Sequence, residues 1–61
     1  MTADALERVT FFVTQTGRKC RVAAQNCHAN GHHGIAFAHE NEAALADLIL
    51  ADLNTEQPDS E

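Results

Sequence analysis

The dipeptide Asn30-Gly31 constrains this chain more than any other feature. Both residue types tolerate positive φ, so Asn-Gly is among the strongest short-range signals for a two-residue turn between antiparallel strands. Closing the chain there makes Lys19–Ala29 and His32–His39 partner strands. His28 then faces His33, Ala24 faces Phe37 and Val22 faces His39. A second glycine turn, at Thr16-Gly17 or Gly17-Arg18, precedes this pair. Ahead of it, Arg8–Gln15 contains Val-Thr-Phe-Phe-Val-Thr, a β-branched and aromatic run that reads as a further strand.

The two turns agree on one face. Side chains alternate along a strand, so Val9, Phe11, Val13, Cys20, Val22, Ala24, Ile35 and Phe37 fall on the same side of the sheet. A slip of one residue would destroy that agreement. After the third strand, Asn41 is a good helix N-cap and Glu42 suits the positive end of the helix dipole. Residues 42–53 are rich in Ala and Leu and lack Gly and Pro. Asn54 is placed to end the helix in a left-handed conformation. The sequence therefore predicts an α+β fold: a three-stranded antiparallel meander followed by one C-terminal α-helix packed on one sheet face. The expected organisation is a flexible arm or short helical turn capped by Thr2 over 1–7, a single β-β-β-α domain over 8–54, and a disordered acidic tail over 55–61.

Size limits what such a fold can do. A chain of 61 residues holds one domain, and one this short buries only about 60% of its unfolded surface. Such domains lean on disulfides, a metal or a partner chain. No run of apolar residues is long enough for a membrane span, and no signal peptide is visible, so a cytoplasmic location with reduced cysteines is expected. The net charge is −5, and all four basic residues, Arg8, Arg18, Lys19 and Arg21, lie in the first third. Nucleic-acid affinity needs several cationic contacts with phosphate, so no nucleic-acid partner is expected.

The segment from Cys20 to His39 holds both cysteines and all four histidines. Thiolate and imidazole are the ligands zinc prefers. In the predicted register Cys20 and Cys27 lie about 23 Å apart along the strand and point to opposite faces. They share neither a metal nor a disulfide. What remains for zinc is the hairpin tip, with Cys27, His28, His32 and His33 as candidate ligands. Cys27 beside His32 has the elements of a thiol nucleophile and its base. A three-stranded sheet with one helix offers it no pocket, however, so no enzyme is expected.

The outer sheet face gathers Phe12, Ala23, Ala36 and Ala38 into an apolar patch without charge at its middle, and such patches mark partners. The leucines and isoleucine of the helix spread over an arc wider than one sheet covers, which leaves Leu48 and Leu50 as further contact candidates. A third strand running straight into an acidic, Ala/Leu-rich helix, as over Gly34–Leu53, is similar to the HicB-type antitoxin module in the order of its elements. That order is also similar to the double-stranded-RNA-binding domain. That family sets a basic helix N-terminus on phosphates, whereas this helix begins Asn41-Glu42-Ala43. The expectation is thus a small non-enzymatic protein-interaction or regulatory module, inhibitor-like, antitoxin-like or a complex subunit, that forms a homodimer or binds another protein. No cofactor is expected in that case; the alternative is a small zinc-binding module using the Cys/His-rich residues 27–33.

Overall fold

The computed structural model describes residues 1–55. They form two long helices, α1 (Ala3–Ala29) and α2 (His33–Thr55), folded back on one another. No strand occurs among the described residues. The predicted meander, its sheet register and the two resemblances of element order are overturned together.

The helical outcome follows from local interactions that the strand reading underrated. Thr2 caps α1, its Oγ1 accepting the Ala5 N–H at 3.2 Å, and Asp4 sits in the first turn. A turn capped by Thr2 was one of the two expectations for residues 1–7; that the helix runs on for 27 residues was not expected. The β-branched run Val9–Thr14 stays helical because each such residue costs less than about 0.7 kcal/mol relative to alanine. The Thr14 hydroxyl also finds a partner inside the helix, donating to the Thr10 carbonyl at 2.8 Å. Gly17, predicted to turn the chain, lies within α1 and is buried. A Cβ there would stand 3.3 Å from the Cβ of Ala46, so glycine serves the close approach of two helices.

Asn30-Gly31 does reverse the chain, but between helices. Gly31 adopts φ +80°. Its N–H donates to the His28 carbonyl at 3.1 Å, and the His32 N–H donates to the Cys27 carbonyl at 2.7 Å. This pair of bonds is the Schellman closure of a helix C-terminus. The His32 carbonyl then accepts the Ala36 N–H at 3.0 Å and opens α2. The predicted third strand is therefore the beginning of α2, and Asn41 stands inside that helix rather than at its cap. Asn54 is helical, and no residue other than glycine has positive φ among those described. Thr55 closes α2, while the rest of the predicted tail lies outside the described residues.

The helices meet along a seam of small side chains. On α1 it runs Leu6, Thr10, Val13, Gly17, Cys20, Ala24, Cys27, in alternating steps of four and three that keep one stripe facing a partner helix. On α2 the only residues not fully exposed are Ala36, His39, Ala43, Ala46, Leu50 and Leu53, with the same alternation. Among the described residues the buried apolar ones are Cys20, Ala24, Ala36, Ala43 and Ala46, and no large side chain is fully buried. Neither helix is long and apolar enough to cross a membrane.

Candidate interaction surface

Seven residues make about two helical turns, so positions seven apart share a face. Arg21 and His28 are so related on α1, as are Glu40 and Asp47 on α2. They pair across the hairpin. Arg21 Nη2 donates to both carboxylate oxygens of Asp47, at 2.5 and 2.6 Å, and this hydrogen bond holds the guanidinium pKa above its ordinary value. His28 Nε2 lies 3.3 Å from Glu40 Oε2. This side of the molecule is polar and wet.

The other side is different. Phe12, Val13 and Thr16 of α1 and Glu42, Leu45, Ala46 and Ile49 of α2 line a shallow groove of about 190 Å³. Its walls are apolar except for Thr16 and Glu42. Phe12 is 70% exposed, Leu45 58% and Ile49 45%. Val9, one turn before Phe12, is exposed as well. Ala23 stands seven residues beyond Thr16, and Ala38 seven before Leu45, so both extend the same face towards the turn. Ile35, exposed and seven residues before Glu42, prolongs it further.

The residues proposed from sequence as a contact surface are thus redistributed. Phe12, Ala23 and Ala38 share a face, although the sheet that was to unite them is absent. Ala36 is completely buried in the seam and touches no solvent. Leu50 is half-buried on the seam side of α2. Leu48 is 64% exposed and lies round the outer side of α2 from the groove. The sequence reading placed Val9 and Ile35 on the core face of the sheet and gave Leu45 and Ile49 only as part of the helix's wide apolar arc. The signal was there: each belongs to the outer apolar stripe of a helix whose inner stripe is mostly Gly, Cys, Thr and Ala, with Leu6, Val13, Leu50 and Leu53 half-buried towards the open end.

The four candidate zinc ligands do not converge. His28 and His33 lie side by side, Nδ1 to Nδ1 at 2.7 Å, a hydrogen bond in which one ring must donate and the other accept. The His28 ring also stands edge-on to Phe37, with centroids 5.4 Å apart. Cys27 turns its side chain into the seam and is half-buried, while His32 is exposed. Among the described residues no group of three or more His, Cys, Asp or Glu is placed to hold a metal ion.

Both cysteines are free. Cys20 is buried, and burial pushes its thiol pKa up; the Glu42 carboxylate, whose Oε2 accepts from Sγ at 3.7 Å, pushes it the same way. A nucleophilic cysteine needs the opposite environment, cationic and partly exposed. A second hollow, lined by Asp4, Glu7, Arg8 and Phe11, lies on α1 alone. Comparison with protein-family models, with curated proteins and with solved structures found no match to this chain.

Proposed function

We propose that this chain is a small non-enzymatic protein-interaction module, which acts by laying the face around Phe12, Leu45 and Ile49 against an apolar helical surface. One observation carries the reading: among the described residues nothing larger than cysteine is buried, while Val9, Phe12, Ile35, Leu45 and Ile49 are exposed. Apolar burial is the main force that offsets chain entropy. A hairpin that keeps its large apolar residues outside leaves that force for a complex. The polar side, with Arg21–Asp47 and His28–Glu40, supplies a surface that remains in water. A reducing cytoplasmic setting suits two free cysteines.

The zinc alternative has the His28–His33 contact in its favour. Two imidazoles are half of a tetrahedral set, so that reading requires ligands from elsewhere. A melt with and without chelator tests it: a structural zinc predicts a clear fall in Tm on chelation, and unchanged melting removes it.

The test of the interaction reading is photo-cross-linking in the cell that makes the protein. A benzophenone amino acid replaces Phe12 in one strain and the exposed Gln25, away from the groove, in another. Protein adducts are expected from position 12 and not from position 25. Absence of adducts from position 12 would end this reading.

A further inference from the structure

Resting on that reading, we infer that the occupant of the apolar face is a second copy of this chain, set with α1 of one copy on α2 of the other and with both turns at the same end. Two identical faces come together about a two-fold axis lying in the contact plane. If the axis runs along the helices, α1 meets the second copy's α2 at the same level. Phe12 then meets the second copy's Leu45 and Ile49, the residues it already adjoins within its own hairpin. If the axis runs across the helices, α1 meets α1 and α2 meets α2.

Charge decides between these. On the groove side α1 presents Lys19, whereas α2 presents Glu42 and, seven residues beyond Leu45, Asp52, and it has no Lys or Arg. The axis across the helices stacks an acidic helix on its twin. The axis along them puts the basic-rich helix on the acidic one. Lys19, seven residues beyond Phe12 on the same stripe, is brought towards the second copy's Glu42, which lines the groove. Size agrees: a face about 35 Å long and about 20 Å wide, two helices across, offers on the order of 700 Å² per copy. A standard interface takes about 800 Å² from each partner. His28, His33 and Glu40 lie on the far side and take no part.

The experiment mixes isotopically heavy and unlabelled full-length chains, each carrying the benzophenone residue at position 12. Native mass spectrometry reads chain number, and digestion maps adducts that join heavy to light. The expected result is two chains per particle, with position 12 joined to residues 42–49 of the other copy. Phe12→Asp, at an exposed position, should weaken self-association about 100-fold. Lys19→Glu and Glu42→Lys should each weaken it about fivefold, and mixing the two variants should restore it. A dimer whose adducts join position 12 to α1 of the other copy overturns the arrangement. A monomer at all concentrations that cross-links to a different protein in the cell overturns the second copy and leaves the interaction reading standing. A monomer without adducts in the cell overturns both.

Discussion

The two long faces of this hairpin are cut from the same helices and share one seam, yet they are made of opposite material. On the polar side Arg21 and His28 reach across to Asp47 and Glu40, each pair seven residues from the next. On the other side Phe12, Leu45 and Ile49 surround a groove in which Glu42 is the one charged lining residue. The ion-pair residues Arg21 and Asp47 are themselves 51% and 58% exposed. Pairs so wet fix orientation more than stability. The polar side pairs its charges within the hairpin, whereas the groove side leaves Phe12, Leu45 and Ile49 in water. Among the described residues the fully buried positions are small, and most of the large apolar side chains lie outside.

The comparison collapses most completely if the seam is opened, because both faces depend on it. Gly17→Leu sets a branched side chain where even a Cβ lies 3.3 Å from Ala46. Overpacking costs about 1–3 kcal/mol, a large share of the stability of any small domain. The variant should lose most of its helical circular dichroism at 25 °C, and self-association with it. Helicity at the parent level would mean that the helices do not close at Gly17.

Next in size is the contrast between faces. Phe12→Asp should lower self-association about 100-fold, as removal of a central aromatic does. Asp47→Asn, which weakens the Arg21 pair on the polar side, should leave association where it was. Sedimentation of both variants over a range of concentrations reads the difference. Equal losses would mean that the two faces do the same work.

A smaller effect separates the turn from the helices it joins. Gly31 holds φ +80°, a conformation that costs an L-residue about 1–2 kcal/mol. Gly31→Ala should lower Tm by roughly 5–10 °C. Gly34→Ala meets open space and negative φ inside α2, so it should raise Tm slightly. If both substitutions shift Tm the same way, the Schellman closure is not what reverses the chain.

That turn also shows how far the sequence can be read. Asn30-Gly31 announces a reversal because it accepts positive φ, and the reversal is there. Positive φ serves a β-hairpin and a helix C-terminus alike, so the dipeptide does not say which elements it joins. Thr2 was legible as a cap for the same kind of local reason. The helices were not, because their inner stripe is built from Thr10, Gly17, Cys20, Ala24, Ala36, Ala43 and Ala46, residues that score weakly as apolar. Most of the strongly apolar ones lie outside, and over short windows Cys20, Val22 and Ala24 alternate as a strand would. Only the four-three spacing sustained from Leu6 to Cys27 separates the two periods. Ala23 and Ala38 fell on one face under either period because both readings reverse the chain at Asn30-Gly31, and Phe12 shares that face although the Gly17 turn that was to bring it there is absent. Ala36 and Leu50 did not, because a helix turns them inward.

The smallest expected effect tests whether the seam is dry at its centre. Cys20 is buried and Cys27 is half-buried, so a thiol-reactive dye should label Cys27 first. Burial, and secondarily Glu42, hold the Cys20 thiol pKa above its ordinary value, so the fold favours the protonated thiol. Its contribution to stability is whole below the unfolded pKa, about 8.5, and is lost as pH rises through the folded value. The parent should therefore melt lower as pH climbs above about 8.5, and Cys20→Ala should show a shallower fall. Glu42→Gln removes the second cause, so the pH midpoint for labelling Cys20 should move down while Cys27 labels as before. If Cys20 instead reacts as fast as Cys27 at every pH, water reaches the middle of the seam, and the contrast between a closed interior and two unlike faces gives way to a pair of helices only loosely joined.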